Sequence, residues 1–299
     1  MASAGQSVPL DREAQQPAKK ARARRSAWRT LRRNPIAMAA LVGLVLLLLA
    51  VILAPLITPI PPNAHDYDHL LEPPSLAHPF GTDDLGRDIF SRVLWGGRES
   101  LRVAVMAIAV AISGGIVVGL VSGYFGRWVD NVSMRIVDVL LAFPTILLML
   151  SIVAALGPSL GTVLIALGIS AIPGFSRLVR GSVLAARNYE YVTAARVLGA
   201  SDAYIMFTQI LPNILSPLII YATVGLGAAI LTTAGLSYLG LGAQPPSPEW
   251  GAMLNEGRTH MRDAWWLSVF PGLAIFLAVL FVNLLSDGLR DALDPKLRQ

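Results

Sequence analysis

The sequence predicts an all-α membrane protein with six transmembrane helices and both termini on the same side. Three observations carry this. Hydrophobic residues make up 54% of the 299 positions and charged residues only 14%, against roughly 25% charged in a soluble domain. The charges are clustered, leaving several stretches long enough to cross about 30 Å of hydrocarbon as a helix of about 20 residues. Lys and Arg are also distributed unequally between the segments that join those stretches.

The first apolar run is Ile36 to Ile57, without a charge. It starts too deep and runs too long for a signal peptide, so it reads as a retained helix over 35–57. The second run is Val103 to Gly123. Val139 to Phe175 is uncharged and as one helix would reach about 55 Å, too long for a single crossing. Gly157-Pro158-Ser159-Leu160-Gly161 breaks it, giving spans three and four joined by a tight turn. Pro144 and Pro173 fall inside these spans as expected kinks. The fifth span starts after Pro212 and ends near Leu236; the sixth runs from Ala264 to Ser286.

Orientation follows from Lys/Arg bias. The tail, residues 1–34, carries nine basic residues against Asp11 and Glu13. The loop from Arg177 to Asp202 holds four arginines against Glu190 and Asp202. In a six-span count both lie on one side. Thr58 to Arg102 has four arginines against seven acidic residues, and Ser237 to Asp263 has two against three. The tail and the 177–212 loop are therefore expected in the cytoplasm, and residues 58–102 outside it. Residues 103–299 make a five-helix core. The polar, basic tail is expected to be disordered and to meet anionic membrane lipid rather than nucleic acid.

Several chemistries are excluded or disfavoured. There are no cysteines, so disulfides and thiolate metal sites are out. His65, His69, His78 and His260 read as too few and too scattered for a metal cage. Only Lys19, Lys20 and Lys296 are lysines, and none follows a glycine. The chain therefore lacks a Walker phosphate-binding loop and is not expected to be an enzyme. Carboxylates deep in the spans, which would suggest ion coupling, are almost absent: Asp138 and Asp287 sit at span ends, and Asn283 is neutral. The chain reads as a pathway whose motor lies elsewhere. A passive channel or ion-coupled carrier is the alternative class.

The 177–212 loop is the most informative segment. Glu190, Tyr191, Thr193, Ala194, Ala195 and Arg196 fit a short amphipathic helix. Gly199 permits a sharp turn through positive φ. Ala200, Ser201 and Asp202 follow, the last two as N-cap candidates. Leu211-Pro212 then re-enters the membrane. The arrangement resembles the EAA loop of membrane subunits of binding-protein-dependent ABC importers: Glu-Ala-Ala, three residues, Gly, nine residues, Ile, one residue, Leu-Pro. Thr193 here replaces the glutamate and Gln209 the isoleucine. Glu190, one turn earlier on nearly the same face, is a candidate to supply the charge.

Three further segments are similar to the second membrane subunit of dipeptide and oligopeptide permeases: His78 to Arg92, Tyr238 to Met253, and Asp287 to Lys296. With the loop they extend the resemblance from about Arg29 to the end. The first reads as a charge-paired turn of Gly81, Asp83, Asp84, Gly86, Arg87 and Asp88 packed over the bundle. In the second, Trp250 and the later Trp265 and Trp266 suit a membrane interface. In the third, Arg290 is placed to pair with Asp287, Asp291 or Asp294.

The resemblance implies the type I ABC importer fold, with a first helix outside the five-helix core. It implies a heterodimer with a homologous permease subunit, cytoplasmic ABC ATPase subunits and an extracytoplasmic substrate-binding protein. ATP and Mg would be bound by the ATPases, with no cofactor in this chain. The coupling residues would be Glu190, Tyr191, Thr193, Ala194, Ala195, Arg196, Gly199, Ala200, Ser201, Leu211 and Pro212. The implied cargo is dipeptides or short oligopeptides, with glutathione or nickel importers as close alternatives, at the bacterial inner membrane. Substrate-contacting residues are not legible, because peptide backbone contacts need no distinctive side chain. Gly114, Gly115, Gly225 and Gly227 read equally well as helix packing.

Overall fold

The computed structural model describes residues 30–293. The tail before Thr30, and Asp294 and Lys296 at the other terminus, lie outside the described residues. The described chain is nearly all helical: α1 (Pro35–Ile52), α2 (Ala54–Ile57), α3 (Ile89–Phe125), α4 (Arg127–Ala142), α5 (Thr145–Leu156), α6 (Leu160–Ala186), α7 (Glu190–Val197), α8 (Asp202–Tyr238), α9 (Trp250–Gly257) and α10 (Trp266–Leu293). Five of these (α1, α3, α6, α8 and α10) are long and apolar enough to cross a membrane.

The sixth crossing differs from the expected one. α4 and α5 qualify only together, and they meet at an 89° bend. The bend falls at Phe143-Pro144, with Pro144 as N-cap of α5. The cause is local: proline disfavours α backbone in the residue before it, and Phe143 is extended at ψ 137°. Pro144 therefore breaks this span rather than kinking it. Pro173, by contrast, stays inside a continuous α6.

α1 begins where Asn34 Oδ1 accepts the N–H groups of Ile36 and Ala37, each at 3.1 Å, and Pro35 opens the first turn, where no donor is lost. It lies outside the bundle against α10. Ala37 and Ala40 are buried, while Ile36, Val42, Leu46 and Ile52 are exposed. At the centre, α3 and α6 are the most intimate pair, and a stripe of glycines explains why. A methyl group on Gly115 would come within 2.3 Å of Phe175 Cβ, on Gly119 within 2.5 Å of the Ser176 carbonyl oxygen, and on Gly123 within 2.8 Å of Val183 Cβ. Spaced four apart, they form one face along which two backbones approach.

α3 begins at Ile89, about four turns before the expected span, because Asp88 caps it by accepting the Ser91 N–H at 2.7 Å. α8 also starts early, at Asp202, capped by Ser201. It runs through a π-helical turn over Ile205–Ile210, where the Leu211 N–H reaches the Met206 carbonyl. Pro212 follows that wider turn without ending the helix. The Asn213 side-chain amide donates to the Gln209 carbonyl at 2.6 Å.

Candidate functional site

The chain has two distinct ends. One gathers the α3 C-terminus, α7 and the start of α8. The other gathers residues 58–88, α9 and the start of α10.

At the first end, α7 stands as the expected short helix, with Glu190 in its first turn and Arg196 in its last. It terminates at Gly199, φ +79°. The Gly199 N–H donates to the Arg196 carbonyl and the Ala200 N–H to the Ala195 carbonyl, each at 3.0 Å. This pair of bonds is a Schellman motif, which closes the helix and reverses the chain. Ser201 Oγ then accepts the Tyr204 N–H at 3.3 Å.

Helical geometry sorts the side chains of α7. Val192 is fully buried beside Ile205 and Ile210. Glu190, Thr193, Ala194 and Val197, with Leu198 just beyond, lie opposite it, within an arc of about 140°. All five are exposed, Val197 at 81% and Leu198 at 85%. The two alanines are not equivalent. Ala194 lies on the open face, whereas Ala195 turns inward against the core. Tyr191 is half-buried, and its hydroxyl accepts from Asn213 Nδ2 at 3.3 Å.

Several contacts bind this loop to the bundle. Tyr124 Oη, at the end of α3, donates to Asp202 Oδ1 at 2.6 Å. The Arg196 guanidinium lies 5.8 Å over the Tyr124 ring. Arg187 donates to the Gly123 carbonyl at 3.0 Å. Arg180 grips Asp130 through two bonds of 2.5 and 2.6 Å, and Arg177 meets Asp138 at 2.6 Å. From α7 itself, Arg196 reaches α3 at Tyr124 and Tyr191 reaches α8 at Asn213, while the other bonds tie α3, α4, α6 and α8 to one another.

Among the expected coupling residues, Glu190, Thr193, Ala194, Gly199 and Ser201 lie at the surface of this end. Tyr191, Ala195 and Ala200 face the bundle, and Arg196 is exposed but lies over the Tyr124 ring. Leu211 and Pro212 lie two turns into α8, away from the α7 surface. Sequence reasoning missed Val197, Leu198 and Tyr124. A helical wheel centred on Val192 would have exposed the first two. Nothing in sequence spacing links Tyr124 to Asp202.

The opposite end is an ion cluster. Arg92 is fully buried and Arg87 nearly so, and both donate to Glu256 Oε2 at 3.0 Å. Arg87 Nε also donates to Asp83 Oδ2 at 2.6 Å. The charge-paired turn packs over the bundle as expected, but its third member, Glu256, comes from α9. Two tryptophans depart from the interface role. Trp250 is buried and donates to the Val93 carbonyl at 2.8 Å, and Trp266 is buried and donates to the Thr82 carbonyl at 3.0 Å. Each indole N–H had an acceptor inside the protein, so it had no need of the lipid boundary. Trp265 remains half exposed. Glu249 caps α9, accepting from Ser100 Oγ at 2.8 Å and the Ala252 N–H at 3.0 Å. Burial pushes its carboxyl above the usual range. Among the described residues, no ion pair joins Arg290 to Asp287 or Asp291. The histidines are not all scattered: the rings of His69 and His78 lie 5.8 Å apart.

The described chain is thus a helical bundle with one broken span and a short surface helix that follows α6. Residues 115–299 match the family described as binding-protein-dependent transport system inner membrane component, and residues 23–74 match the N-terminal TM domain of oligopeptide transport permease C. The chain belongs to the first of these families and is a multi-pass inner-membrane protein.

Its relatives include the dipeptide transport system permease protein DppC of Alkalihalophilus pseudofirmus, 47% identical over 92% of this chain and 90% of the relative. The glutathione transport system permease protein GsiD of Pectobacterium atrosepticum is 48% identical over 92% and 91%. That of Escherichia coli O1:K1 is 50% identical over 91% and 90%. A chain of the MetNI methionine ABC transporter, in an inward-facing conformation, aligns with a TM-score of 0.51 at 20% identity, covering 67% of this chain and 96% of that one. That likeness is one of fold, the type I importer permease fold.

Proposed function

We propose that this chain is the pathway-forming subunit of an ATP-driven importer of dipeptides and short oligopeptides, and that α7 is the lever on which a cytoplasmic ABC ATPase acts. One observation carries the reading: α7 presents an open face of Glu190, Thr193, Ala194, Val197 and Leu198 while Arg196 lies over Tyr124 of α3 and Tyr191 is bonded to Asn213 of α8. A surface with exposed aliphatic groups at its centre and polar bonds behind it suits a docking lever. Glu190 supplies the negative charge that Thr193 lacks.

The Lys/Arg distribution supports a cytoplasmic α7 and cytoplasmic termini, which puts residues 58–88 and α9 outside. There a binding protein would deliver the peptide. A homologous permease subunit would complete the pathway, with the exposed bend from Leu141 to Leu147 as part of the contact. ATP and Mg would be held by the ATPase subunits. This chain forms no covalent intermediate; its work is mechanical. The relatives that transport glutathione favour a second cargo of the same chemical class, a tripeptide.

The test is uptake of radiolabelled dipeptide and of glutathione in cells whose only copy of the gene is wild type or Gly199→Glu. The expected result is uptake by the wild type, competed by the preferred cargo, and loss of uptake in the variant at equal membrane abundance. Normal uptake by an assembled Gly199→Glu variant would sink the lever assignment.

A further inference from the structure

Two imidazoles, nine residues apart in sequence, meet at the end opposite α7. His69 Nδ1 lies 2.9 Å from Asp66 Oδ2, and His78 Nδ1 lies 3.0 Å from Asp88 Oδ1. One donor atom each from Asp66, His69 and His78 fall within 4.8 Å of one another. We propose that Asp66, His69 and His78 form a site for a divalent cation of the zinc type, with Asp88 as the positioning residue for His78.

Three features support this. First, His78 is oriented from behind. Asp88 accepts the Ser91 N–H at 2.7 Å with one oxygen and holds His78 Nδ1 with the other. A carboxylate on Nδ1 fixes the tautomer and leaves Nε2 as a free lone pair, the outer-shell arrangement that orients metal-bound histidine. Second, the Asp66 and His69 donor atoms are already 2.9 Å apart, near the edge of about 3.3 Å of a tetrahedron with metal bonds of about 2.0 Å. Coordination would replace that hydrogen bond by two metal bonds. Third, Asp66 and His69 are about half exposed, at 45% and 47%, so both can rotate the short distance needed, while His78 stays fixed with its side chain only 11% exposed.

Two imidazoles and one carboxylate suit Zn²⁺ better than Mg²⁺ or Ca²⁺, which take oxygen ligands. Three protein ligands leave a fourth position for water. The cation would tie the Asp66–His69 turn to the His78–Asp88 turn. That segment already covers the α3 N-terminus, where Ser91 Oγ donates to the Ile60 carbonyl at 2.7 Å.

The test uses the full-length chain without a histidine tag, stripped of metal and held in nanodiscs. Zn²⁺ alone is titrated against a chromophoric chelator. The wild type is expected to bind one Zn²⁺ per chain at micromolar concentration or tighter. His69→Gln, at an exposed position, should weaken binding at least about tenfold, and His260→Gln should leave it unchanged. Zn²⁺ should also slow amide exchange over residues 64–72 in the wild type and not in His69→Gln. The absence of saturable binding in the wild type, equal binding by His69→Gln, or loss of binding in His260→Gln would each overturn the site.

Discussion

The two ends of the molecule solve opposite problems. The end built on residues 58–88 and α9 buries its charges: Arg92 sees no solvent, and Glu256 and Asp83 are spent on it and on Arg87. The end built on α7 leaves its aliphatic groups in the open and holds on through partly buried bonds such as Tyr124 to Asp202. Buried ion clusters resist rearrangement, because any opening leaves a charge without a partner. Exposed apolar groups on a small capped helix invite a partner. The contrast teaches that one end is locked by its own buried charges while the other leaves a face open to a partner.

The largest expected effect breaks the rigid end. Arg92→Met would leave Glu256 and Asp83 short of a buried partner and cost about 3 kcal/mol, seen as a large drop in thermal unfolding temperature in detergent. An equivalent loss is not expected at the α7 end. There Gly199→Val adds a Cβ that meets no atom within 4 Å, so the cost is that of the φ +79° backbone, about 1–2 kcal/mol. Transport should fall much further than stability does. Tyr124→Phe removes one hydrogen bond to Asp202 at 2.6 Å, worth about 1 kcal/mol. It should weaken the coupling of ATP turnover to uptake while leaving assembly intact, measured as ATP consumed per peptide imported.

The smallest effect sharpens the comparison by pH. Burial raises the Glu249 carboxyl above the ordinary glutamate value of about 4.5. The folded protein therefore holds this proton more tightly than the unfolded chain, and stability from this group is full below about 4.5 and declines as pH rises through the raised value. Glu249→Gln keeps an acceptor for Ser100 or the Ala252 N–H and cannot ionise. Its stability relative to the wild type should thus grow between pH 4.5 and neutrality, read by thermal unfolding at each pH.

The helices were legible where apolar length alone decides, as in Pro35–Ile52 and Trp266–Leu293. Gly199 was legible too, because only a residue tolerant of positive φ closes that turn. The 89° break was not: a proline in an apolar run reads as a kink unless the neighbouring helix is known to be too short to span by itself. The roles of Trp250 and Trp266 were hidden for a similar reason, since tryptophan composition does not reveal whether an indole N–H will meet the Val93 or Thr82 carbonyl. At the candidate site, the residue types of α7 were evident in order, but which of Ala194 and Ala195 faces outward depends on the helix register set by Val192. The meeting of His69 with His78 depends on two turns folding back on each other.

The central claim is that the open face of α7 touches an ATPase subunit. The chain has no cysteine, so Val197→Cys gives a single attachment point for a short thiol-to-amine cross-linker in native membranes. The adduct is then identified by mass spectrometry, with Tyr67→Cys at the opposite end as control. The account predicts an adduct to an ABC ATPase from Val197→Cys, strengthened or shifted by ATP, and none from Tyr67→Cys. An ATPase adduct from Tyr67→Cys, or none from Val197→Cys in a complex that still imports peptide, would contradict it.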